Sequence, residues 1–318
     1  MKKLLTVFSL IIAMMIITAC GTNDANSGDK KEKEEPKVEA KELTITHELD
    51  ETKVPVNPKK VVVFDFGSLD TLDKLGVEVA ALPKTNIPKY LEKYEDEKYE
   101  NVGSLKEPDF EKIHALDPDL IIISGRQSDM YEEFKEIAPT IYLGVDTSRY
   151  MESFAENAKT IGKIFSKEAE VEEQLSVINE DIEKLNKEAS TLEGKSLIVL
   201  ANEGKVSAYG PSSRFGIIHD VFGFEPADSS IEVSTHGQSV SFEYILEKNP
   251  GYLFVIDRGA AVDGESAAKD IIENDLVKGT DAYKDGKIIY LDPDFWYLSG
   301  GGLESVSQMV KEVEAAIK

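Results

Sequence analysis

The sequence has a single cysteine, Cys20, in 318 residues. That excludes a disulfide framework and any cysteine-rich metal site. Histidine is almost as scarce. His47, His114, His219 and His236 are the full set, and no HxxxH or HExxH pattern joins them. A dedicated zinc site of the usual spacing is therefore excluded. Positive charge is also short: 36 Lys and Arg stand against 60 Asp and Glu, a net charge of −24. Phosphate recognition needs basic surface, so nucleic acid is excluded as a partner. Arginine is the rarest basic residue. Arg126, Arg149, Arg214 and Arg258 are the only four, and the other 32 are lysine. The remaining composition is ordinary. Apolar residues make up 41%, and glycine brings the total to the usual globular range. The length allows one large domain or two medium ones.

The start of the chain reads as an address. Lys2 and Lys3 precede an apolar stretch, Leu4 to Ile17, that is too short for a confident membrane span. Ile17-Thr18-Ala19-Cys20 has the form of a lipobox. On that reading residues 1–19 are a lipoprotein signal peptide and Cys20 is lipidated. An ordinary signal peptide with an incidental cysteine fits the same residues. Residues 20–42 are mostly Asn, Ser, Asp, Lys, Glu and Pro. Such a segment cannot bury enough apolar surface to offset its ordering entropy, so a flexible tether is expected.

From Leu43 onward the pattern is α/β. Lys60–Phe64, Asp119–Ile123 and Pro139–Leu143 are short apolar runs of the kind found in buried parallel strands. Ser68 is expected to cap a helix Leu69–Leu75, and Phe110–Leu116 is a second helix, stopped by Asp117-Pro118. The plan then repeats. Ser196–Leu200, Tyr252–Ile256 and Lys287–Leu291 read as strands, Phe215–Phe222 and Phe242–Lys248 as helices. At an offset of 132 residues, Phe110, Glu111, Ile113, Pro118 and Arg126 fall on Phe242, Glu243, Ile245, Pro250 and Arg258. A duplicated helix-Pro-strand unit, one per lobe, explains the match; two generic units of this kind would share some of it. The expected division is an N-terminal α/β lobe at 43–165, a connecting helix at 166–192 and a C-terminal α/β lobe at 193–318. Met151–Phe165 and Lys167–Ala189 carry no proline and read as helices. The second would span ~35 Å at 1.5 Å per residue and act as a stiff joint.

Three arginines sit where open α/β sheets bind ligands, just past strand ends. Arg126 follows one buried strand and Arg258 its repeat equivalent. Arg214 ends the turn Tyr209-Gly210-Pro211-Ser212-Ser213. Guanidinium is always charged, offers five donors and stacks on rings, which suits a multiply anionic, planar ligand. Any one of them alone also fits a surface ion pair; three in equivalent positions argue for a cleft. Arg149, beside Asp146, reads as structural. His236 lies in the polar loop Ser234–Ser239, and Tyr297 in Phe295-Trp296-Tyr297-Leu298 ahead of Gly300-Gly301-Gly302. Imidazole and phenolate suit Fe(III), and Trp296 could pack on an aromatic ligand. The bland alternative, a satisfied loop histidine and a core-edge tyrosine, fits the same residues. Glu111 and Glu243 occupy equivalent first helical turns. They either complement the helix dipoles or form a symmetric pair of knobs for a symmetric partner.

As a set, four stretches carry a resemblance: Val61–Asp70, Val102–Phe110, Ser234–Ser239 and Trp296–Gly302. Over Leu43–Lys318 the chain resembles the iron–siderophore-binding lipoproteins of petrobactin and other catecholate type. These belong to the helical-backbone cluster of the periplasmic-binding-protein superfamily of ABC importers. The resemblance implies a class III fold: two Rossmann-like lobes joined by a single long helix, with the ligand in the interlobe cleft. It implies no catalysis and no intrinsic cofactor. The ligand would be a ferric siderophore, with Arg126, Arg214 and Arg258 as its basic clamp. His236 and Tyr297 would reach iron only where a siderophore leaves coordination positions open. Glu111 and Glu243 would dock on the permease, which works with its ATPase. The expected location is the extracytoplasmic face of a Gram-positive type cell membrane, with the protein a monomer held by its lipid. Two rivals stay open. One is a binding protein for haem, cobalamin or a hydroxamate siderophore. The other is a secreted hydrolase, for which no GxSxG motif or paired acids at one strand end are present.

Overall fold

The computed structural model describes residues 41–265 and 267–318. The signal segment, Cys20 and nearly all of the expected tether lie outside them. The described chain opens with a hairpin, β1 (Glu42–Thr46) and β2 (Glu51–Pro55). Its first strand therefore begins inside the segment expected to be tether. The Thr52 hydroxyl donates to the Thr140 carbonyl at 2.9 Å and pins the hairpin to the sheet behind it.

That first sheet is parallel throughout. It comprises β3 (Val61–Val63), β4 (Ala81–Leu82), β5 (Glu100–Asn101), β6 (Leu120–Ile123) and β7 (Thr140–Tyr142), in the order β5-β4-β3-β6-β7. Helices α1 (Phe66–Lys74), α2 (Phe110–Leu116) and α3 (Tyr131–Ile137) are its crossovers. The apolar runs alternate between two cores. Leu120 and Ile122 face the central one, Ile121 and Ile123 the outer one. The expected cap of α1 is corrected. Asp65, not Ser68, is the N-cap, and its carboxylate accepts from the Ser68 backbone N–H at 2.7 Å. The helix starts three residues earlier because Asp65, two residues past the end of β3, has the extended backbone and short acceptor side chain a cap needs.

Two helices, α4 (Tyr150–Phe165) and α5 (Glu168–Ala189), lead to the second sheet. Its order is β10-β9-β8-β11-β12, with β8 (Ser196–Asn202), β9 (Lys205–Tyr209), β10 (Gln238–Val240), β11 (Tyr252–Asp257) and β12 (Ile288–Leu291). β8, β11 and β12 are parallel, and β9 and β10 run antiparallel on one edge. The repeat is thus imperfect. Glu203 and Gly204, both at positive φ, turn β8 straight back into β9 where the first sheet uses a helical crossover. The helix expected over Phe215–Phe222 shrinks to α6 (Ile217–Asp220). The remaining helices are α7 (Phe242–Lys248), α8 (Arg258–Val262), α9 (Ala268–Ile272), α10 (Asp281–Lys284) and α11 (Leu303–Ala316).

The last helix crosses back. α11 packs on both α1 and α5, so the end of the expected C-terminal lobe rests on the first one. One central apolar cluster consequently joins Val61 and Phe66 to Ile198, Phe254, Leu303 and Val310. Among the described residues no helix is long and apolar enough to cross a membrane.

Candidate functional site

The C-terminal ends of β8 and β11 open onto a cleft of about 330 Å³, which Lys106 reaches from the first lobe. Arg126, in the turn after β6, is not among the lining residues and meets the cleft only through the carbonyl of Tyr297, which does line it. Gln127, fully buried, fixes that turn by accepting from the Ser124 N–H at 3.1 Å and donating to the Leu105 carbonyl at 2.6 Å. Arg214 follows a turn held by Ser213, whose hydroxyl donates to the Gly210 carbonyl at 2.5 Å, and by the Ser212 N–H on Asp220 at 2.6 Å. Arg258 is the first residue of α8, just past the Asp257 cap.

The arginines meet at Tyr297. One Nη of Arg126 donates to the Tyr297 carbonyl at 3.1 Å, and one Nη of Arg214 donates to the same oxygen at 2.6 Å. The Arg214 guanidinium also lies 4.3 Å from the Tyr297 ring centroid and 5.2 Å from that of Phe215. Arg258 donates to Asn202 Oδ1 at 3.0 Å and lines the cleft beside the same tyrosine. Two like charges on one carbonyl leave an electrical signature. Burial and the nearby Arg214 both draw the Arg126 guanidinium below its ordinary value, with Asp65 and Tyr297 opposing. The Tyr297 phenol responds the other way. Burial pushes it up, but Arg214 and Arg258 outweigh burial and bring it below the ordinary tyrosine value. Asp65 stands behind Arg126 with its carboxyl raised by burial, against the pull of Ser68, Ser124 and Arg126.

His236, exposed on its loop, lines the same cleft with Ser239, Ser207, Tyr209 and Leu200. Trp296 does not line it, which corrects the sequence expectation. Its ring is buried edge-on to Phe222, and its indole N–H donates to Glu312 Oε2 at 2.7 Å. Asp294–Ser299 is a π-helical turn, and it sends residue 296 inward and residue 297 to the cleft. Glu111 and Glu243 are exposed on the first turns of α2 and α7 and are no part of the cleft lining. Arg149 forms ion pairs with Asp146 and Glu152, as its neighbours suggested.

Two cleft cations escaped the sequence reading. Lys106 comes from the Gly103–Pro108 turn of the first lobe, and Lys205 opens β9 in the second. The first lay inside a quoted motif, and the second follows a Glu-Gly turn between two strand patterns. Lys106, Lys205, Arg214 and Arg258 line the cleft with no carboxylate among its lining residues. Such a lining neutralises an anion, and the stacked guanidinium favours one with flat rings. Among the described residues no group of three His, Cys, Asp or Glu is arranged to hold a metal by itself.

Comparison with known proteins agrees with this architecture. A sequence profile of the periplasmic binding protein family matches residues 61–295, and the chain belongs to that family. Within it, the chain is 56% identical to the petrobactin-binding protein YclQ of Bacillus subtilis over the whole of both sequences. It is 30% identical to the ferric-anguibactin-binding protein FatB of Vibrio anguillarum, covering 95% of this chain and 94% of the relative. The crystal structure of YclQ superposes with a TM-score of 0.86 and 61% identity over 87% of this chain and 99% of that one. The periplasmic catecholate-siderophore binding protein VctP of Vibrio cholerae gives 0.83 and 38%, over 86% of this chain and all of its own. These relatives are substrate-binding proteins, and the fold is the two-lobed α/β class III type expected from the sequence.

Proposed function

We propose that this chain is an extracytoplasmic receptor, lipid-anchored at Cys20, that captures a ferric catecholate siderophore of petrobactin type and delivers it to an ABC permease. The observation that carries the reading is the convergence of Arg126 and Arg214 on the Tyr297 carbonyl, beside Arg258, in a cleft whose lining holds cations and no carboxylate. The names of the relatives support the ligand class. A ferric catecholate complex is multiply anionic and presents aromatic faces. The guanidiniums of Arg214 and Arg258, with Lys106 facing them from the first lobe, neutralise the charge, and the guanidiniums stack on the rings.

The cycle needs no bond chemistry. The two α/β lobes, 43–165 and 193–318, with the helix at 166–192 between them, bind by limited closure. His236 and Tyr297 coordinate iron only for ligands that leave positions open, and Arg214 and Arg258 keep the Tyr297 phenol ready for that role. Glu111 and Glu243, one on each lobe surface, engage the permease. A fluorescence titration with a panel of ferric siderophores and their iron-free forms tests the reading. Ferric petrobactin should bind more tightly than uncharged ferric hydroxamates. Preference for a hydroxamate, or for haem or cobalamin, would overturn it.

A further inference from the structure

Two of the motifs singled out in the sequence, Val61–Asp70 and Trp296–Gly302, dock onto one another. The Asp70 carboxylate is buried on α1. It accepts from the Glu304 N–H at 2.8 Å and the Ser305 N–H at 2.7 Å, in the first turn of α11. The next residue joins in: Thr71 Oγ1 accepts from the Leu303 N–H at 3.2 Å. Backbones meet closely here. A Cβ at Gly67 would lie 2.8 Å from the Ser299 carbonyl oxygen, and one at Gly302 would collide with the Asp70 carboxyl. Tyr90 completes the contact. Its single hydroxyl proton lies between Ser299 Oγ at 2.7 Å and Asp70 Oδ2 at 3.1 Å, and Ser299 in turn donates to the Asp294 carbonyl at 2.9 Å. Asp294 and Ser299 are the two ends of the π-helical turn that carries Tyr297.

We infer that Asp70 and Tyr90 are positioning residues for Tyr297, clamping both ends of its turn to α1 so that its carbonyl and ring meet the arginines. Tyr297 lies far along the chain, beyond the second sheet, yet through this clamp it is registered to the first lobe. Its carbonyl is then where the cations of the two lobes are set against each other. An anionic ligand entering between them finds Arg126 and Arg214 already held on one oxygen. The inference rests on the ligand reading above for its functional consequence, and on the hydrogen bonds alone for the clamp.

The test is a double-mutant cycle in the full chain, read by titration with ferric petrobactin. Tyr90→Phe removes the hydroxyl and keeps the ring. It should weaken binding about tenfold, the size of one well-made hydrogen bond. Arg214→Ala removes the group that the positioned carbonyl and ring hold and should cost roughly thirtyfold, and the double variant with Tyr90→Phe should lose little beyond Arg214→Ala alone. Lys74→Ala cuts a different α1–α11 contact, the ion pair with Glu304 at 2.6 Å, and should leave affinity unchanged. Losses that multiply in the double variant, or an equal loss in Lys74→Ala, would overturn the positioning role. A second readout needs no ligand. Trp296 is buried in the same turn, so acrylamide should quench it more in Tyr90→Phe and Ser299→Ala than in wild type. Unchanged quenching in both also overturns the clamp. Increased quenching in a protein that does not bind ferric petrobactin upholds the clamp and refutes the ligand reading instead.

Discussion

Replacing Arg214 with alanine should separate affinity from stability. In the ligand-free protein Arg214 donates to the Tyr297 carbonyl at 2.6 Å and stacks 4.3 Å from its ring centroid. A hydrogen bond from a charged donor contributes about 2 kcal/mol, and a half-exposed cation–π contact about 1 kcal/mol. Against this stands Arg126, on the same oxygen at 3.1 Å. Their donor nitrogens, on one oxygen at 3.1 and 2.6 Å, can be no farther apart than the sum of those two distances, and unit charges at about that separation repel by roughly 3 kcal/mol at an effective dielectric constant of about 20. The favourable and unfavourable contributions nearly cancel, so Arg214→Ala should melt close to wild type. For a domain of this size 1 kcal/mol moves Tm by about 2–4 °C, so a small imbalance would still be measurable. Binding has no such cancellation. An anionic ligand loses one of its cations, at a cost of about 2 kcal/mol after solvation, or roughly thirtyfold in Kd. Arg214→Lys keeps the charge but not the planar fork and stack, and should fall between. Thermal melts and ferric petrobactin titrations on the three proteins decide the matter. If Arg214→Ala melts many degrees lower while binding as wild type, the arginine is a structural strut and the charge argument fails.

The other predictions use different parts of the molecule. Glu111→Ala/Glu243→Ala should abolish siderophore-dependent growth while leaving the titration unchanged, since both residues are exposed and outside the cleft lining; a lower affinity would move them into the binding site. Gly302→Ala should destabilise by at least about 2 kcal/mol in a urea melt, because its Cβ has to displace the buried Asp70 carboxyl; a neutral result would mean that the α1–α11 contact is loose. Burial raises the Asp70 carboxyl from 3.8 to about 6, against the pull of the Glu304 and Ser305 N–H groups and Tyr90. The folded state therefore holds that proton more tightly than the unfolded one. This contribution to stability is full below the unfolded value and is lost as pH rises through about 6. The stability advantage of wild type over Asp70→Asn should accordingly shrink between pH 4 and 7, and a constant difference would refute the shift.

Much of the fold was legible where short-range chemistry decides it. Asp117-Pro118 and Asn249-Pro250 stop α2 and α7 at the expected residues, with Asp117 and Asn249 left-handed at the C-caps. The β-branched runs of β6 and β11 appear within a residue of expectation. What failed were elements too short to show a period. β10 has three residues and α6 four, and β9 was hidden behind a turn not read as a hairpin. The orientation of Trp296 was illegible for another reason. A run of Phe, Trp, Tyr and Leu has no polar alternation to say which ring faces in, and the π-helical turn breaks the ordinary helical period. Asp70 was missed because its partners lie more than two hundred residues away.

The arginines show the same division between what a sequence states and what folding adds. Their scarcity and their places after strand ends were readable, and these pointed to a cleft. That two of them share one carbonyl oxygen was not readable, because it depends on α11 crossing back to α1 and carrying Tyr297 with it. This arrangement also resolves how a chain of net charge −24 can hold an anion. Exposed carboxylates farther away than the Debye length of ~8 Å are screened, whereas cations lining a partly buried cleft are not. Local charge therefore governs the cleft. Because Arg126 and Arg214 already repel each other across one oxygen, an anion between them relieves a repulsion as well as making an attraction. Ligand charge, more than ligand size, should then set the order of affinities across a siderophore panel.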